Sequence, residues 1–310
     1  MMGVQFKPLE TTIRRAPLGL AFLDLARATT VTGGLEVRTW QLGSRGPIKI
    51  GSRSPLSGIY GFRSLPGLRP FEFGERAASD WCPSPPDSSP PVAGDDLPDM
   101  GDLLEDGRPP NFVVMVEDRD GRFLPMVMLM CLPKERLIEV PLFSGPARPT
   151  PAGQAVLRGQ VWDRQADAPA AWALIAAQTE TDNGPAPSYA GLTDEKGIFA
   201  LFMPYASPPA PLVGSPPHGT VDLDELTWTV IIEVYYEPGR LHPLARPEGV
   251  RGPLPPDIRS ILYQQPALVF DRPGTSGATL ARALRFGQEL IVSTQDLLPP
   301  QQSRLLVDPT

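Results

Sequence analysis

Residues 191–205 read GLTDEKGIFALFMPY: a polar turn, Asp194-Glu195-Lys196-Gly197, then an apolar run, then Pro204. Asp and Gly adopt turn geometry readily, and Gly accepts positive φ at little cost. A short run rich in Ile and Phe, bounded by a turn and a proline, reads as a core strand. The phrase is a β-turn feeding a strand. A blurred copy stands at 54–67, SPLSGIYGFRSLPG.

Working outward, the two halves share four landmarks in one order. GLAFLDLARATTVTGGLEVRTWQL (19–42) and AVLRGQVWDRQADAPAAWALIAAQ (155–178) both alternate around a polar turn. Each holds a strand ending in Asp, Asp24 or Asp163, and then a second strand with a tryptophan, Trp40 or Trp172. The Gly-led apolar run follows, and the spacing from Asp to Ile59 or Ile198 is 35 residues in both halves. Last comes a long apolar strand, FVVMVEDRDGRFLP (112–125) or WTVIIEVYYEPGRLHP (228–243), ending in Gly-Arg and then Pro. In the latter, Trp228, Val230, Ile232 and Val234 fall on one face, and Thr229, Ile231, Glu233 and Tyr235 on the other. One apolar face and one mixed face suit a sheet buried on one side. Order and spacing together predict a duplication.

The expected fold is all-β: two tandem Ig-like or transthyretin-like β-sandwiches with long Pro-rich loops and extended termini. Forty prolines in 310 residues support it, because proline breaks helices and is confined to turns and edges of sheets. Residues 1–15 form an N-terminal arm. Residues 16–146 form the first sandwich, with an inserted Pro/Ser-rich and acidic loop at 75–110. Residues 147–297 form the second, with a shorter Pro-rich loop at 206–220. Residues 298–310 are a C-terminal tail. The linker is placed at 144–153, SGPARPTPAG, where Pro and Gly concentrate and few contacts should cross. LARALRFGQELIVSTQDL (280–297) reads as a strand pair or a short helix.

Composition narrows the function. A net charge of −7 disfavours a nucleic-acid surface, whose affinity comes largely from Lys and Arg on phosphates. Arg14-Arg15 is a pair, expected to be solvated. Apolar runs at 112–116, 123–132 and 226–236 are too short to span a membrane. Cys82, in a Pro/Ser-rich loop, and Cys131, ending an apolar strand, are too few for a disulfide framework or a zinc site. With no secretory signal evident at the N-terminus, a reducing compartment, the cytoplasm, is expected.

Reactive motifs are missing. The two histidines, His218 and His242, lie 24 residues apart, too far for a zinc-protease helix. No G-x-S-x-G elbow, P-loop or dinucleotide fingerprint occurs, and GTSGA at 274–278 reads as a flexible turn. Asp95, Asp96, Asp99, Asp102, Glu105 and Asp106 offer oxygens for Ca²⁺, but not at the spacing of a calcium loop, and read as a solvated acidic stretch. No catalytic, metal or cofactor residue is therefore assigned, and no cofactor is expected.

Val156, Gly159, Val161 and Asp163, then Pro169, then Thr193-Asp194-Glu195-Lys196-Gly197-Ile198-Phe199, give an order that resembles the carboxypeptidase regulatory-like, or transthyretin-like, β-sandwich. The resemblance covers about 155–236, departs from the family in the large loop 206–225, and is weak in the first half. It implies a non-enzymatic sandwich. Residues 121–163, with LFSGPARPTPAG at their heart, resemble accessory proteins of phage-tail-like contractile injection systems. That resemblance implies a structural part near one end of the particle, cap or baseplate. The implied partners are tube, sheath, cap or baseplate subunits, met as a symmetric oligomer and built in the cytoplasm. The alternative is a module that binds carbohydrate or another surface ligand, with Trp81 or Tyr189 as its exposed aromatics. Each of these also reads as a loop anchor packed on its own sandwich.

Overall fold

The computed structural model describes residues 14–82, 109–180, 187–206, 226–250 and 252–309. The first half supplies β1 (Leu18–Asp24), β2 (Thr29–Thr30), β3 (Leu35–Gln41), β4 (Lys49–Ile50), β5 (Ser52–Arg53) and β6 (Tyr60–Phe62). The short helix α1 (Arg69–Glu72), β7 (Phe112–Asp118), β8 (Met126–Met130) and β9 (Leu137–Leu142) complete it. The second half supplies β10 (Gln154–Asp163), β11 (Ala168–Pro169), β12 (Leu174–Thr179), β13 (Tyr189–Leu192), β14 (Ile198–Pro204) and β15 (Thr227–Tyr235). After it come the helix α2 (Ile258–Leu262), β16 (Leu268–Arg272), β17 (Thr275–Gly277), β18 (Leu280–Arg285), β19 (Leu290–Val292) and β20 (Arg304–Asp308).

The two halves repeat one pairing scheme. Asp24 pairs with Thr29 and Leu20 with Tyr60, while Asp163 pairs with Ala168 and Gly159 with Phe199. On the other edge β1 runs parallel to β9, as β10 runs parallel to β19 and β20. In the facing sheets β3 pairs with β7 from Leu35 opposite Asp118, and β12 pairs with β15 from Leu174 opposite Tyr235. The chain is all-β, built from two tandem β-sandwiches.

The opening phrase behaves as read. Asp194 Oδ1 accepts the amides of Lys196 at 2.8 Å and Ile198 at 2.9 Å. Gly197 sits at φ +73°, and its counterpart Gly58 at +71°. The Thr193 hydroxyl is fully buried; it donates to Ala170 O and accepts from Ala173 N, both at 2.8 Å. Gly159 is needed for contact, since a Cβ there would lie 2.6 Å from Val292 O and 2.9 Å from the Phe199 ring. Of the alternating residues of β15, Val230, Ile232 and Val234 are fully buried in the second core.

Several expectations need correction. Trp40 and Trp172 are not equivalent: Trp40 lies in β3, whereas Trp172 precedes β12 in a turn with φ +63°. The Gly-Arg endings differ too. Gly121-Arg122 makes a hairpin into β8, but Gly239-Arg240 opens a long crossover that reaches β18 only after α2, β16 and β17. The segment 280–297 forms two strands, β18 and β19, which do not pair with each other: β18 joins β15 and β19 joins β10 in a different sheet. The segment 298–310 is not a tail. Arg304–Asp308 is β20, paired with β10 and β16, because Leu305 and Val307 carry apolar side chains into the core. Arg14 is not merely solvated, for its guanidinium lies 2.5 Å from the buried Glu72 carboxylate. Residues 1–13 of the arm, most of the 75–110 loop and the 206–220 loop beyond Ala206 lie outside the described residues.

Cys82 and Cys131, read as too few for a disulfide framework, form one disulfide, with Cα atoms 5.9 Å apart. The bond spans 49 positions. Closing a loop of that length constrains the unfolded chain by roughly 4 kcal/mol in the chain-entropy account. Spacing alone could not show it, because the two residues meet only through the fold.

The turn glycines make a direct test. Gly121 and Gly197 both have positive φ, but a Cβ on Gly121 meets nothing, whereas on Gly197 it would strike Val161 O. Gly197 O also accepts Val161 N at 2.8 Å. Gly121→Ala should cost about 1 kcal/mol, the left-handed penalty alone. Gly197→Ala should cost roughly 2 kcal/mol more, because the ladder bond is lost as well. Urea unfolding of both variants measures the difference; equal costs would refute the account.

Candidate functional site

His242 is exposed at the start of the crossover, and His218 and the acidic stretch from Asp95 to Asp106 lie outside the described residues. Among the described residues no group of three or more His, Cys, Asp and Glu is placed to hold a metal ion. GTSGA is the β16–β17 hairpin, with Gly274 at φ +85°. Trp81 packs edge-on against Phe71, ring centroids 6.5 Å apart, and Tyr189 packs against the second core. Trp81 acts as a loop anchor, whereas Tyr189 is the first residue of β13; burial raises the Tyr189 hydroxyl pKa.

What the fold does bring together is the junction between the sandwiches. The segment expected to be a loosely held linker is pinned, with Ser144, Gly145, Arg148 and Pro151 buried and Ala147, Pro149, Thr150, Ala152 and Gly153 exposed. Arg148 is 5% exposed and Asp24 is 4% exposed. The guanidinium donates to both Asp24 oxygens, at 2.8 and 2.5 Å, and to Ser144 Oγ at 2.9 Å. It also stacks between Phe123 and Phe202, 4.8 and 5.6 Å from their ring centroids. Phe123 belongs to the first half and Phe202 to the second, so one cation touches aromatic faces from both. Arg158, in β10, donates to the carbonyls of Pro146 and Arg148. A forked, planar cation suits this position because it meets a carboxylate with two bonds and stacks on rings at the same time. The sequence signal was slight: one arginine among prolines.

The repeat's terminal aspartates do related work with different partners. Asp24 accepts Ala26 N at 3.0 Å and takes Arg148. Asp163 accepts Gln165 N and Ala166 N, both at 2.9 Å. It also holds the Tyr236 hydroxyl, whose pKa is pushed up to about 12 by burial, by the Asp163 charge and by that hydrogen bond.

Around this junction the halves share core. Leu174, Ala176, Leu192 and Tyr235, on the outer face of the second sandwich, belong to the same buried cluster as Leu20, Phe22 and Val114. The crossover after β15 clamps the first sandwich from outside. Its helix α2 adds Ile258, Ile261 and Leu262 to that core, and Val250 covers Trp40, Val113 and Met115. Asp257 fastens the clamp by accepting Leu129 N at 3.0 Å at the edge of β8. Burial raises the Asp257 carboxyl pKa despite that bond and the nearby Arg259 and His242. Between the β3–β4 loop and the crossover lies an open cleft of about 710 Å³, with Trp40 and Val113 at its floor and Arg45 and Arg246 on its walls.

No family profile matches the chain, and no curated protein matches it. Among solved structures it is similar to a shaft pilin, spaA, of Lactobacillus rhamnosus GG, at 8% identity over 97% of this chain and 98% of that one, with a TM-score of 0.22. A Streptococcal ancillary pilin is 7% identical, with 95% of this chain and 62% of that longer one covered, at a TM-score of 0.19. Likeness at these scores carries no argument about role. Among the described residues no helix is long and apolar enough to cross a membrane.

Two measurements probe the junction. Arg148→Met should destabilise the protein by about 3–5 kcal/mol, because Asp24 is left charged and buried. Adding Asp24→Leu should recover part of that loss, with a coupling energy of at least ~1 kcal/mol in a double-mutant cycle by urea unfolding. Strict additivity would show that the pair does not interact. The Tyr236 hydroxyl gives a pH test. Its pKa is higher in the folded chain than in the unfolded one, so its stabilising effect is complete below about pH 10 and is lost as pH rises towards 12. Tyr236→Phe should remove that alkaline loss; an unchanged stability profile between pH 9 and 12 would refute the assignment.

Proposed function

We propose that this chain is a structural or assembly component of a phage-tail-like contractile injection particle, set near one end, at the cap or baseplate. On this reading it works by protein–protein contact with tube, sheath, cap or baseplate subunits and carries no reaction centre. The observation that carries the reading is the fusion of two like sandwiches into one body through a shared core. The phrase that resembles the injection-system proteins, LFSGPARPTPAG, fastens that body through its buried residues, Arg148 above all. A block locked in this way suits a part that must transmit load and keep its orientation. The carboxypeptidase regulatory-like reading of the second half draws support from mutual contact among its signature residues, with Gly159 under Phe199 and Thr193 closing the turn. Sandwich edges can also join a partner strand by backbone hydrogen bonds.

Purification of intact particles from producing cells, followed by mass spectrometry of their subunits, tests the proposal. The chain should appear in a fixed ratio to the cap or baseplate proteins. Particles that are complete and active without it would overturn the reading.

A further inference from the structure

Both of the chain's cysteines are spent on the single bond between Cys82 and Cys131, and each is 1% exposed. The two ends are held very differently. Cys131 stands on rigid ground just past β8, where Asn111 brackets the next residue. Leu132 N donates to Asn111 Oδ1, and Asn111 Nδ2 donates to Leu132 O, each at 2.8 Å. Cys82 closes the described stretch from Phe73, which has few other ties among the described residues apart from Arg14 and Arg69 over the Phe73 ring. The backbone amides of Phe73, Gly74, Glu75, Arg76, Asp80, Trp81 and Cys82 all donate to carbonyls within six residues, between Arg69 and Ala78. Most side chains from Phe73 to Asp80 are exposed. The disulfide and the half-buried Trp81, laid against Phe71, fasten the far end of this segment to the first sandwich.

We infer that the oxidised Cys82–Cys131 pair belongs to the working protein: the chain is finished by thiol oxidation and acts outside a reducing cytoplasm. Forming the bond removes two electrons and two protons from the two thiols. The acceptor is a disulfide of a protein oxidase or of a small thiol compound, which is reduced to two thiols. Protein disulfides persist in oxidising surroundings and are rare in the cytosol. A bond buried at both sulfurs is also shielded from thiolate attack, which requires access. The inference goes beyond the proposed particle role. It fits a part of a particle that leaves the cell, and it concerns the thiol state of this chain whatever assembly the chain joins.

The test uses the full chain from its native location. Cells or released particles are quenched in acid, and the denatured protein is treated with a maleimide-linked polymer before and after reduction. No addition is expected before reduction and two afterwards. Two additions before reduction would overturn the inference. A second readout guards against misfolding of a cysteine variant. Trypsin should cut after Arg76 about tenfold faster in wild-type protein kept reduced, and in Cys82→Ser, than in the oxidised chain, because the segment's anchor opens locally. Equal rates in oxidised and reduced wild-type protein would show that the bond fastens nothing. Co-purification with a particle is not read in either arm, so failure here is distinct from failure of the particle proposal.

Discussion

The arrangement of the molecule depends on one buried charge, the guanidinium of Arg148. Taking an ion pair out of water costs several kcal/mol per ion, and Coulomb attraction offsets this only where the geometry is good and the remaining donors are satisfied. Here Asp24 takes two donors, Ser144 takes another, and two phenyl faces close the sides. Asp24 belongs to the first strand of the first sandwich, and Phe202 to a strand of the second. The pair therefore forms well only when the sandwiches stand in one relative position. An apolar contact of similar area would hold them together with less angular preference, since hydrophobic burial is non-directional.

Shared apolar surface then makes that position stable. β15 uses both of its faces, with Val230, Ile232 and Val234 pointing into its own sandwich and Tyr235 into the core of the other. The crossover supplies the rest. In the first half the strands corresponding to β15 and β18 are joined by a hairpin, whereas in the second half the chain leaves, covers the outer face of the first sandwich and returns. Two like units thus become asymmetric through one longer connection, and the half that carries it wraps the other.

Much of the architecture was legible because it follows from local chemistry. Alternation in β15, the Asp194-to-Gly197 turn and the Asp-to-Ile spacing each report on a few neighbouring residues. The shared spacing reappears as identical strand register in the two halves. What could not be read depends on pairs far apart in sequence. Arg148 lies 124 residues from Asp24, and Cys131 lies 49 from Cys82. A linker rich in Pro and Gly looks alike whether it is solvated or buried, because those residues mark turns in either setting. The tryptophans misled because Trp40 and Trp172 share a residue type but not a strand position. The last strand was missed because the turns between β19 and β20 interrupt it, which hides a continuous apolar pattern.

The same insertion separates the halves at their edges. In the second sandwich β20 is covered by β16, which pairs Val269 with Val307, and the β16–β17 hairpin extends that sheet. In the first sandwich the corresponding strand, β9, has β1 as its ladder partner among the described strands. An uncovered edge invites pairing with other chains, and natural sheets blunt it with charge and proline. β9 carries Pro141, which cannot donate to a ladder. The two copies thus meet one hazard in two ways, with an added hairpin in the second and strand composition in the first. The halves differ mainly in connections and edges, while the paired registers that define each sandwich agree.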